Sequence, residues 1–191
     1  INKIYLWIKR CDKKIEKINI PEYSSSNLTL LLKELKIIRN KKFNEEELTK
    51  LFNKQGIYLA IEEALNGTKI RGCTMVKNNN PCIYITRYFK EKASFYFTLY
   101  HEIGHIKSDY NKLKNKIMVN NEETSEKEMD NFALNQMIPD NIWNKVKINT
   151  LEREKICKDN NIPLCFLYSR LAYEGIISYK SKEYNSHKEV I

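Results

Sequence analysis

The chain has 191 residues, 42% of them hydrophobic and 30% charged, which is enough for one globular domain with its own core. Its net charge is +9, from 33 basic and 24 acidic residues, but the lysines are spread over every segment rather than gathered on one face. The longest apolar runs fall far short of the roughly 20 residues a bilayer span needs, so no membrane association is expected.

In chain order, residues 1–10 and 27–40 are predicted helices, the second carrying Leu28, Leu31, Leu32, Leu35 and Ile38 at three-and-four spacing. The first residues show neither the apolar stretch nor the cleavage site of a signal peptide. They begin with Ile1 rather than Met, as a piece of a longer protein would. Asn44 before Glu45-Glu46-Glu47 reads as a helix cap, with the helix running to Gln55 and stopped by Gly56.

Three short strands follow, at Ile57–Ile61, Ile70–Val76 and Cys82–Thr86, with turns at Asn66-Gly67 and at Asn78 to Pro81. Connections this short predict an antiparallel meander. Helices are then expected over 91–107, 125–137, 140–146, 150–160 and 163–173, with a last short strand at Ile176–Tyr179. The sum is an α+β fold, read as a helical N-terminal segment, 1–56, followed by a second unit, 57–191, packed with it. Five cysteines, an odd number without a Cys-x-x-Cys pair, point to reduced thiols and a cytoplasmic location.

The chemistry concentrates at His101-Glu102-Ile103-Gly104-His105. On a helix, four steps of about 100° bring His101 and His105 onto nearly one face, one turn apart. Two imidazoles so placed can reach one ion. Glu102 is rotated off that axis, poorly aimed as a ligand but well placed to contact a water held by the metal. Gly104 is costly inside a helix, by about 1 kcal/mol, and implies that something comes close, such as a strand beneath the helix.

A catalytic site of this kind takes a third protein ligand. Position 108 is Ser and position 111 is Asn, so no third histidine follows the motif, and His187 lies in a polar tail. The helix over 125–137 offers Glu126 and Asp130 one turn apart, one to bind metal and one to orient a ligand histidine. Glu128 competes for the ligand role, although Ser125-x-x-Glu128 also reads as a capping box, and Asp109 is a further competitor. Tyr100, Tyr110 and His187 are candidate donors to an oxyanion. The strand Cys82–Thr86 is a candidate edge for holding an extended substrate.

Phe97-Thr98-Leu99-Tyr100-His101-Glu102-Ile103-Gly104-His105, then Glu126-Lys127-Glu128-Met129-Asp130-Asn131-Phe132-Ala133 and Ile138-Pro139, resembles the ImmA/IrrE family of metallopeptidases. Leu6-Trp7, the strand-rich stretch 57–86 and Ile162-Pro163 through Arg170-Leu171-Ala172-Tyr173-Glu174-Gly175-Ile176 resemble the form fused behind a HigA-like DNA-binding domain. The resemblance implies a zincin-like core holding zinc or manganese on His101, His105 and Glu126, with Glu102 as catalytic base and Asp130 behind the ligands. It also implies a protein substrate, a helix-turn-helix repressor of stress genes or mobile elements. DNA would then be reached only through a partner or through a domain preceding Ile1. Met129 departs from the family's usual Ala, and Ser108-Asp109 from its usual apolar residue and His. The competing reading is a non-proteolytic, metal-binding regulatory module of a DNA-binding or antitoxin-type protein.

Overall fold

The computed structural model describes residues 2–114 and 123–191, with side chains for all of these except 123–125. Three helices come first: α1 (Lys3–Ile15), α2 (Ser25–Ile38) and α3 (Glu45–Lys54). Asn2 caps α1 by accepting from the Ile4 N–H, and Asn44 caps α3 by accepting from the Glu47 N–H at 2.9 Å. Gly56, at φ +74°, lets the chain leave α3 in the left-handed conformation.

Strands β1 (Tyr58–Ile61), β2 (Gly72–Lys77) and β3 (Asn80–Ile85) form one sheet in the order β1-β3-β2. β2 and β3 are an antiparallel hairpin whose two-residue turn, Asn78-Asn79, has both φ angles positive, the geometry of a type I′ turn. β1 pairs with β3 in parallel, Tyr58 opposite Cys82 through Ile61 opposite Ile85. The expected meander is therefore wrong at its first connection. Gly67 does make a turn at φ +81°, but residues 62–71 are long enough to carry the chain past an empty slot of two strand spacings, about 10 Å. β3 fills that slot. It is an interior strand, and the substrate edge assigned to Cys82–Thr86 does not exist.

All six β3 residues are buried because both faces of the sheet are covered. Alternation sends Ile83 and Ile85 into the main core, with Leu31 and Leu35 of α2 and Phe52 of α3. Cys82 and Tyr84 face the opposite way, into a second cluster with Trp7, Cys11 and Ile15 of α1. The helices of the first 56 residues thus supply side chains to both sides of the sheet.

Next comes α4 (Lys92–Leu113), which runs against β2 and β3 and places Phe95, Leu99, Ile103 and Ile106 in the main core. It extends six residues past the predicted end because Asp109 and Leu113 are also buried. α5 (Glu123–Met137) packs along α4, and α6 (Asp140–Ile148), α7 (Arg153–Asp159) and α8 (Leu164–Tyr173) close the core with Trp143, Cys157 and Phe166. Residues 176–179 form no strand; the chain instead enters a short helix, α9 (Lys182–His187), after which Val190 bridges to Glu91. No helix among the described residues is long and apolar enough to cross a membrane.

Candidate metal centre

α4 and α5 meet at a glycine. A Cβ built on Gly104 would stand 2.7 Å from Met129 Sδ and 3.1 Å from Phe132 Cδ1, so the bare backbone at 104 is what admits α5. The close neighbour is this helix and not the strand expected from the sequence. Its approach carries Glu126 to the two histidines. Glu126 Oε2 lies 3.1 Å from His101 Nε2, Glu126 Oε1 lies 3.5 Å from His105 Nε2, and the two Nε2 atoms are 3.2 Å apart.

These separations fit a cation. Bonds of about 2.0–2.1 Å in a tetrahedron set neighbouring ligand atoms about 3.3 Å apart. The donor chemistry agrees. His101 Nδ1 lies 2.8 Å from Asp130 Oδ1, and a carboxylate can only accept, so Nδ1 carries the hydrogen and the Nε2 of a neutral ring presents a lone pair. That lone pair faces a Glu126 carboxylate oxygen, two acceptors in contact that a positive ion between them would reconcile. The His101, His105 and Glu126 set could hold a metal ion.

Each competitor for the third ligand has another place. Glu128 is exposed on the outer face of α5. The cap proposed for it on Ser125 involves a side chain outside the described residues. Asp109 is buried one turn beyond His105, with Oδ2 3.6 Å from Nδ1, the ring nitrogen that faces away from the centre. That separation is too long for a hydrogen bond and leaves His105 Nδ1 without a partner among the described residues, while Asp109 pairs with Lys112 at 3.1 Å.

Glu102 is almost fully buried on the β2 side of α4. Thr74 Oγ1 donates to its Oε2 at 2.6 Å, and a Cβ on Gly72 would come within 2.8 Å of its Oε1. Burial pushes its carboxyl up to about 7, against the downward pull of the Thr74 hydrogen bond and the nearby His101, with Glu126 adding to the rise. His101 titrates above its ordinary value: burial lowers it, but the Asp130 hydrogen bond and the charges of Glu102 and Glu126 prevail. His105 titrates lower, through burial and then the charge of His101.

Two of the three oxyanion candidates are engaged elsewhere, and the hydroxyl of the third, Tyr100, is buried without a hydrogen-bond partner among the described residues. Tyr100 is buried in the core, near Arg39. Tyr110 donates to the Asn79 carbonyl at 2.6 Å and packs on Tyr23. His187 stacks on Tyr168 at 4.0 Å, with Nε2 3.4 Å from Glu154. Conversely, sequence reasoning missed Gly72 and Thr74. A glycine at a strand start, two residues before a hydroxyl on the same face, was the available signal. Compared with family models, curated proteins and solved structures, the chain matches none.

Proposed function

We propose that this chain is a metal-dependent peptidase of the His-Glu-x-x-His type, with zinc as its ion and manganese as the alternative. The observation that carries the reading is a three-donor cradle next to a buried carboxylate that is not one of its donors. A purely structural ion has no use for Glu102, and a hydrolase needs a group of this kind.

A divalent ion on His101, His105 and Glu126 would supply Lewis acidity and lower the pKa of a water from about 16 to about 7. Glu102, a buried carboxylate held by Thr74 beside that position, would accept that proton. As the water oxygen bonds to the peptide carbonyl carbon and the C–N bond breaks, Glu102 passes the proton to the leaving amine nitrogen and ends as the carboxylate it began as. Thr74 fixes the direction of the Glu102 carboxylate during both transfers. Asp130 holds the His101 imidazole from behind, and the Asp109 carboxylate lies on the same side of His105 without a hydrogen bond to it. Exposure of 12% for the His101 side chain and 26% for Glu126, against 5% for His105, leaves the centre open on one side for a substrate.

Following the family resemblance, the substrate is a helix-turn-helix repressor met in the cytoplasm, and DNA is reached through that partner or through a domain outside this sequence. The test is incubation of the metal-loaded chain with the small helix-turn-helix protein encoded nearest to it. Cleavage at one bond, lost in Glu102→Gln while bound metal stays, is the expected result. Cleavage that survives Glu102→Gln would reject the base. Metal binding with no cleavage of any repressor would favour the non-proteolytic regulatory module.

A further inference from the structure

The faces of α4 and α5 that build the metal centre continue past it. On α4, Phe97 and Thr98 lie one turn before His101. On α5, Leu134 and Met137 lie one and two turns beyond Asp130. All four line a single cavity of about 460 Å³, within the roughly 300–1,000 Å³ typical of small-ligand pockets. Phe97 joins the two places: its ring is 6.5 Å from the His101 ring and 6.4 Å from the Tyr173 ring on the far wall.

We infer that this cavity receives a bulky apolar or aromatic side chain of the substrate, from a residue flanking the bond to be cut. The inference rests on the peptidase reading for the word substrate, but the pocket and its chemistry stand on their own residues. Its walls are mainly aromatic and aliphatic, and two of the three charged groups that touch it have polar partners of their own. Arg170 is held by Glu174 at 3.1 Å and donates to the Ile138 carbonyl at 2.8 Å. Glu91 accepts from the Tyr184 hydroxyl. Arg71, on the exposed side, lies over the Phe89 ring at 4.7 Å. An ionised side chain entering this space would lose water and find only Arg71, at the exposed edge, to pair with, whereas an aromatic ring would meet other rings throughout. Arg71 also immediately precedes Gly72, the residue set against Glu102. A chain lying along β2 past the metal centre therefore reaches the mouth of the cavity within one residue or two.

Ser169 of α8 is a small, half-buried residue in the cavity wall, so Ser169→Trp fills the space from the side opposite the metal helices. The experiment is cleavage of a peptide library by the zinc-loaded full chain, wild type and Ser169→Trp, with zinc content measured for each. The wild type should prefer Phe, Tyr or Leu over Ala or Asp by about tenfold or more at one position beside the cut. Ser169→Trp should reverse that preference toward small residues at unchanged zinc content. If Ser169→Trp does not fold, Tyr173→Ala, at a half-exposed wall position, should weaken the preference instead. No size preference, a preference for Asp or Glu, or a preference untouched by either variant would overturn the inference. If the chain cuts no library peptide, the pocket is decided separately by nuclear magnetic resonance titration with N-acetylphenylalaninamide, and the peptidase reading by the repressor incubation. Shifts at pocket residues, absent with N-acetylalaninamide and lost in Ser169→Trp, support the pocket; no shifts overturn it.

Discussion

His101 Nδ1 and Asp130 Oδ1 stand 2.8 Å apart, and this one hydrogen bond between α4 and α5 decides which nitrogen of His101 faces the metal centre. It also ties the helix that carries Glu126 to the helix that carries both histidines. Losing such a support typically costs 10–100-fold in metal affinity. Asp130→Ala should weaken zinc binding by about that factor in competition with a chelating dye. An unchanged affinity would make Asp130 a bystander.

Glu126 and Glu128 separate the two readings of α5. Glu126→Ala should reduce zinc affinity at least as much as Asp130→Ala, because it removes a ligand and not its support. Glu128 is exposed, and Glu128→Ala should leave affinity within experimental scatter. The same titration checks both, and the opposite order would exchange their roles.

Gly104 and Met129 form a second pair to test. Alanine at 104 gains roughly 1 kcal/mol of helix propensity but drives a methyl into Met129 Sδ and the Phe132 ring, and overpacking of that kind costs about 1–3 kcal/mol. Gly104→Ala should lower both stability and zinc affinity, since α5 carries Glu126. Adding Met129→Ala should recover part of each. Urea unfolding and zinc titration of the two singles and the double variant measure this coupling. Simple additivity would contradict the account.

These pairs show what could be read from the sequence. Local signals were sufficient where the structure depends on local chemistry: Asn44 and Gly56 bound α3, and His101 and His105 share a helical face. Glu126 meets the histidines as its spacing against Asp130 suggested. What failed was non-local. Nothing within residues 57–86 says that the third strand enters between the first two, because parallel pairing of β1 with β3 is decided by which faces can be covered by α1 and α4. Gly104 announced a close approach but not the partner, since a strand or a helix satisfies the same missing side chain. Asp109 was visible as an acid near the motif. Its buried place behind His105 became evident only once α4 extended past the predicted end.

Glu102 gives a pH signature in the metal-free protein. Its folded pKa of about 7 lies above the ordinary 4.5, so the stability contributed by the protonated form is full below 4.5 and is lost as pH rises through 7. At 1.36 kcal/mol per unit, the loss is roughly 3 kcal/mol. Glu102→Gln keeps the shape and cannot ionise. The wild type should therefore fall behind this variant by about that amount between pH 4.5 and 8 in urea unfolding. Parallel stability profiles would mean that Glu102 is not held in a protonation-dependent environment.

The most direct measurement is anomalous diffraction on either side of the zinc absorption edge, from crystals of the full chain grown with zinc. One peak should stand about 2.0–2.1 Å from His101 Nε2, His105 Nε2 and a Glu126 oxygen. A zinc peak elsewhere, or none, with these three side chains turned apart, would contradict the account.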